Sequence, residues 1–112
     1  MTRTFKEELV QRIVRNFLDI HILRLIQSEP LWGYKIIKRM NKLFGMKIRH
    51  GALYPLLNSL EENGFLRSTR QTQKGRVRRV YQITSRGIQL IESYYDSLRE
   101  QLQKTDIKAG GT

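Results

Sequence analysis

Apolar residues recur at helical spacing through the first part of the chain: Phe5, Leu9, Ile13, Phe17 and Ile20, with Val10, Val14, Leu18 and Leu25 widening the stripe. A period near 3.6 predicts one long helix, or two consecutive ones, over about 5–27. Ser28-Glu29-Pro30 ends it, because the residue before a proline avoids the helical region. A second amphipathic segment, about 33–44, buries Ile36, Ile37, Met40, Leu43 and Phe44 and sets Lys35, Lys38, Arg39 and Lys42 mostly on the other side. Gly45 stops it. After the extended link Met46-Lys47-Ile48, a third helix is predicted over about 50–63, closed by Gly64. Leu53, Leu56, Leu57 and Leu60 face inward, opposite Arg49, Ala52, Tyr54, Asn58 and Ser59. Pro55 lies inside this helix, removes a backbone hydrogen bond and crowds the preceding turn, so an irregular first turn is expected.

The pattern then changes to strands. Segments of about 65–72 and 77–84 flank the loop Gln73-Lys74-Gly75-Arg76, in which Gly75 supplies the turn. In the second strand Val77, Arg79, Tyr81 and Ile83 share a face. Tyr81 and Ile83 are nearest the core, which puts Arg79 toward the exposed tip. Ser85 is the expected cap of a final helix over about 86–104. There Ile88, Ile91, Tyr95, Leu98 and Leu102 form a narrow heptad seam. The chain shows no internal repeat. The order is three helices, a two-stranded hairpin and a helix. That is a mainly α fold with a small β-hairpin, a winged helix-turn-helix with N- and C-terminal dimerisation helices. The expected division is a winged-helix unit over 1–84, a dimerisation helix over 85–106 and a flexible tail over 107–112.

Charge sharpens this picture. The net charge is +11, and all of it falls between Pro30 and Ile91, where the only acids are Glu61 and Glu62. The two flanks carry both signs and sum to zero. A positive field confined to the helix pair and hairpin points to a polyanion, most simply double-stranded DNA. The neutral flanks fit a separate task, holding two copies together. With 112 residues and no cysteine, the chain is one domain without disulfides or thiolate metal sites. No apolar run suits a membrane span or a signal peptide, so a cytoplasmic, nucleoid-associated protein is expected.

Candidate contacts follow from what DNA requires. A helix in the major groove needs a polar, charged outer face near its start. Arg49, His50, Tyr54 and Asn58 provide one, with Arg49 suited to guanine and Asn58 to adenine. The hairpin offers Arg67, Arg70, Lys74, Arg76, Arg78 and Arg79 to the minor groove or backbone. Lys35, Lys38, Arg39 and Lys42 are placed to meet the backbone from the second helix. The expected dimer interface is Leu9, Ile13 and Phe17 with Ile88, Ile91, Tyr95, Leu98 and Leu102. Tyr94 reads as a further seam residue, His21 as structural, and Trp32 as a core or interface anchor. Enzyme chemistry is not expected: there are two histidines, no acid between Pro30 and Leu60, and no phosphate-binding Gly-Lys-Ser/Thr loop. No metal or cofactor is expected. A small-molecule effector near Trp32 is allowed by the sequence and not required by it. The competing DNA function is a nonspecific architectural coat, which the charge fits equally well.

Three motifs in order also resemble a known family. Leu31-Trp32-Gly33-Tyr34-Lys35-Ile36-Ile37 resembles the "GYeI" opening of PadR-type transcriptional regulators. The segment from His50-Gly51-Ala52-Leu53-Tyr54-Pro55-Leu56-Leu57 to Glu61-Glu62-Asn63-Gly64 resembles their "GTLYPLLxRLEEEG" recognition helix. Gly75-Arg76-Val77-Arg78-Arg79-Val80-Tyr81-Gln82-Ile83-Thr84 resembles their "GRPRKYYxLT" wing. The resemblance spans about 20–91 and implies a dimeric winged-helix regulator, usually a repressor. It also implies DNA-facing Tyr34, Tyr54 and wing arginines. The single C-terminal helix is similar to that of the smaller PadR subgroup. Three positions depart from the pattern. Arg49 replaces the Ser or Thr that opens the recognition helix, Ala52 replaces a Thr, and Val77 replaces the wing proline. Two hydroxyl contacts are thereby lost, and a looser hairpin is expected. The last helix also lacks the tryptophan with which some relatives bind planar drugs.

Overall fold

The computed structural model describes residues 3–104. The expected tail over 107–112 lies outside them. Five helices and three strands follow in the order α1 (Phe5–Asn16), α2 (Leu18–Ser28), β1 (Leu31–Trp32), α3 (Gly33–Phe44), α4 (His50–Glu62), β2 (Leu66–Gln73), β3 (Arg76–Ile83) and α5 (Ser85–Leu102). The N-terminal stripe is thus two helices, broken at Phe17, whose φ of −120° and ψ of 38° leave the helical region. Its apolar stripe is not uniformly buried. Val14 and Ile20 enter the core, whereas Phe5 is 80% exposed and Ile13 48%.

The core is built where α2, α3, α4 and the base of the sheet meet. Ile22, Leu23, Ile36, Met40, Leu53 and Leu57 are wholly or almost wholly buried, with Leu31, Leu66 and Tyr81 closing the sheet side. Leu43 departs from expectation, because it stands 52% exposed at the end of α3. Its neighbours Met40 and Phe44 turn toward the core and leave it outside.

The hairpin is part of a three-stranded antiparallel sheet in the order β1-β3-β2. The expected two strands therefore gain a third: Leu31 pairs with Tyr81 and Trp32 with Val80. β3 is thereby the central strand, paired on both edges, and at its base the adjacent residues Val80 and Tyr81, which point to opposite faces, are both buried. The strands run on to a two-residue turn, Lys74-Gly75, rather than a four-residue loop. Both turn residues have positive φ (50° and 77°), as a type I′ hairpin requires.

The junction after α4 fixes where the wing points. Gly64, at φ 81°, ends α4 in a Schellman motif, with Phe65 N–H donating to the Leu60 carbonyl and Gly64 N–H to that of Glu61. Thr84, not Ser85, caps α5. Its hydroxyl accepts from Gly87 N–H at 3.1 Å and donates to the Gly64 carbonyl at 2.5 Å. One side chain therefore ties the end of α4, the base of the sheet and the start of α5. Arg86 adds a bond from Nε to the Asn63 carbonyl at 2.9 Å and lies over the Phe65 ring.

Candidate nucleic-acid interface

The helices that would meet DNA differ from those that would not in how they begin. α1 and α5 are capped by threonine hydroxyls, Thr4 and Thr84, and α2, which has no side-chain cap, carries Asp19 in its first turn. α3 and α4 start at Trp32 and Arg49, neither of which makes a side-chain cap bond, and neither helix has an acid in its first turn. Their first N–H groups are left for an outside acceptor, and the helix dipole favours that acceptor being an anion. Pro55 leaves α4 continuous. The first turn is tightened, with both Ala52 and Leu53 N–H directed at the Arg49 carbonyl.

On α4, Arg49, His50, Tyr54 and Asn58 are all exposed. His50, Tyr54 and Asn58 are four residues apart and so form one ridge. His50 stacks on Tyr54 with ring centroids 5.6 Å apart. Tyr54 crosses to α3 and lies against Gly33, where a Cβ would come within 2.8 Å of Tyr54 Cζ. Gly33 is thus the close-approach point between the two helices. Tyr54 remains 38% exposed, so its ring both packs and faces out.

The basic residues divide into those engaged within the fold and those that are not. Arg79 is engaged: Nε donates to Ser68 Oγ at 2.8 Å and Nη2 to Glu61 Oε1 at 3.2 Å, while Ser68 donates to Glu61 Oε2 at 2.7 Å. The triangle fastens the wing to α4. Its cause is the register, which places Ser68 and Arg79 on the sheet face that α4 covers. Arg79, a DNA candidate from the sequence, is turned toward Glu61 here, with its side chain 57% exposed. Arg78 lies over the Trp32 ring at 5.0 Å, with Lys35 Nζ at 5.6 Å. Lys38 Nζ sits 5.5 Å from the Tyr34 ring centre, and Arg39 pairs with Glu29 at 2.8 Å. Lys74 and Arg76 stand exposed at the wing tip, and Arg70 is exposed behind them.

The remaining sequence candidates lie on α1, on α5 and at Phe17 between α1 and α2. Leu9, Ile13, Tyr95, Leu98 and Leu102 are exposed, and Ile88 is half-buried. Ile91 is a correction. At 3% exposure it belongs to the protomer's own core, because α5 packs that face on α2 and the sheet. Phe17 meets Tyr94 edge-on at 5.4 Å, and with Leu90 and Leu98 they line an open apolar groove. His21 is half-buried beside Phe44. Burial and the adjacent Arg24 guanidinium push its imidazole below the usual range, which suits a structural residue.

The "Transcriptional regulator PadR-like family" model matches residues 22–93. The chain belongs to the PadR-like family. It is similar to the transcriptional regulator Rv3488 of Mycobacterium tuberculosis, 34% identical over 73 residues that make up 65% of this chain and 67% of that protein. Solved structures agree in fold. A PadR-like transcription factor from Bacteroides fragilis superposes with a TM-score of 0.72 at 23% identity, covering 86% of this chain and 93% of that one. A PadR family transcriptional regulator from Eggerthella lenta gives 0.68 at 25% identity, covering 88% and 92%. The protein is a PadR-like DNA-binding transcriptional regulator rather than an enzyme. No helix among the described residues is long and apolar enough to cross a membrane.

Proposed function

We propose that this PadR-like chain is a homodimeric, sequence-specific repressor. α4 enters the major groove and the wing lies on the adjacent minor groove or backbone. The observation that carries this reading is the exposed ridge of Arg49, His50, Tyr54 and Asn58, beside two helix starts that have neither cap nor acid. Arg49 is the guanine reader and Asn58 the adenine reader. Tyr34, Lys35 and Lys38 hold the backbone from α3, while Lys74, Arg76 and Arg78 do so from the wing. Repression is the role that binding alone can perform, by covering promoter DNA. The expected place of work is the cytoplasm, at the nucleoid.

Dimerisation is supported by the apolar side chains left bare on one protomer. Phe5, Leu9 and Ile13 on α1 and Tyr95, Leu98 and Leu102 on α5 are all exposed. Exposed apolar side chains in such number mark an interaction site, and α5 (Ser85–Leu102) serves as the dimerisation helix. Leu9→Glu with Leu98→Glu is expected to give folded monomers that bind DNA weakly, since neither residue is buried in the protomer. Sedimentation at an unchanged dimer mass would sink the assignment.

A further inference from the structure

A third cationic region lies outside the wing and adjoins the base-facing ridge of α4 at Arg49. It is a cleft of about 500 Å3 between α1 and the segment that leads from α3 into α4. Arg3, Arg15, Lys47 and Arg49 line it, and none of its lining residues is acidic. Among the described residues none of these four cations has an ion-pair partner; the ion pairs use Arg39, Arg79 and Arg99. Four like charges around one opening repel one another, and an anion relieves that repulsion.

The cleft is held in shape from below. Gln11 is 9% exposed, and its Nε2 donates to the Gly45 carbonyl at 3.1 Å. That bond fixes α1 to the left-handed turn at Gly45, at φ 64°, from which the segment bearing Lys47 and Arg49 departs. Met46 and Ile48 alternate with Lys47 and Arg49 and are buried, so the two cations are directed outward.

Its place in the fold selects the anion. The cleft reaches Ala52, in the first turn of α4. The wing is fastened to the other end of α4 through Glu61. The 13 residues of α4 span about 20 Å at 1.5 Å per residue. A helix of that length, flanked by cations at both ends, can straddle a major groove about 12 Å wide and meet phosphate on either side. We infer that Arg3, Arg15 and Lys47 form a second backbone clamp, which holds duplex phosphates on the opposite side of the recognition helix from the wing. The inference rests on α4 being the DNA-reading helix.

The test is the salt dependence of binding by the full chain to a labelled mixed-sequence duplex about three helical turns long. Arg3→Ala/Arg15→Ala/Lys47→Ala is expected to reduce the slope of log affinity against log salt by about 2 to 3 per protomer. Arg12→Ala/Arg99→Ala/Lys104→Ala removes the same charge elsewhere and is expected to leave the slope unchanged. Arg3→Lys/Arg15→Lys/Lys47→Arg is expected to restore it. All three cleft positions are exposed, so the fold is retained. A cleft variant with the slope and affinity of the unsubstituted protein would overturn the clamp while leaving DNA binding intact. So would loss of tripolyphosphate binding with duplex binding unchanged, which would assign the cleft to a free polyanion. Absence of duplex binding by the unsubstituted protein would remove the reading on which the clamp rests.

Discussion

Gly87→Ala is expected to lower the unfolding free energy by about 3 kcal/mol, whereas Gly51→Ala is expected to raise it by about 1 kcal/mol. The substitution is the same and both glycines lie in the first turn of a helix, so propensity alone predicts a gain at each. Their surroundings decide the sign. A Cβ on Gly51 meets nothing within 4 Å. One on Gly87 would run into the Phe65 carbonyl and would stand 2.7 Å from Ile83 Cγ1. Backbone cannot give way cheaply there, because Phe65 O also accepts the Thr84 N–H. Relief would come from displacing α5, which would break the Thr84 cap and its link to Gly64. Urea unfolding at fixed protein concentration reads both variants. Equal shifts of the two midpoints would contradict the packing at the α5 junction.

The second large effect belongs to the wing. Arg70→Ala/Lys74→Ala/Arg76→Ala is expected to leave unfolding unchanged and to reduce the salt slope of DNA binding by about 2 to 3 per protomer. Among the described residues none of the three cations is in an ion pair, and all three are exposed, so nothing in the fold depends on them. Arg79→Ala should behave differently. It removes two hydrogen bonds that lock the wing to α4, so it is expected to weaken binding through wing position and to lower stability as well. If Arg79→Ala left stability unchanged and lowered the salt slope by about 1 per protomer, Arg79 would be a direct phosphate contact rather than a tether. Calorimetric unfolding together with the salt titration separates the two roles.

Much of this arrangement could be read from the sequence because it is locally encoded. α3 and α4 have clean helical periodicity and glycine stops, and the Lys74-Gly75 turn lies between two alternating segments. The features that escaped are those set by distant partners. β1 is two residues long and exists only because Tyr81 and Val80 are present to pair with it. Of the one long helix or two consecutive ones that the N-terminal stripe allows, two form, and the position of the break at Phe17 is marked by neither proline nor glycine. Arg79 and Glu61 are 18 residues apart, and no spacing rule connects them. Ile91 satisfies the heptad seam and also the helix face that packs on the protomer's own core; periodicity cannot choose between two apolar faces of one helix. The cleft cations were legible only as charge, because Arg3 and Arg15 join Lys47 through the packing of α1 on the turn after α3.

Two α4 helices held as a pair would read DNA in a sequence-specific way. Selection of bound duplexes from a random pool at physiological salt, followed by sequencing, tests it most directly. The arrangement predicts a palindromic motif with half-sites about 10 base pairs apart. It further predicts that Asn58→Ala relaxes the motif at a single position in each half-site. No enriched motif, with binding that collapses steeply as salt rises, would contradict it and leave a nonspecific architectural coat as the function.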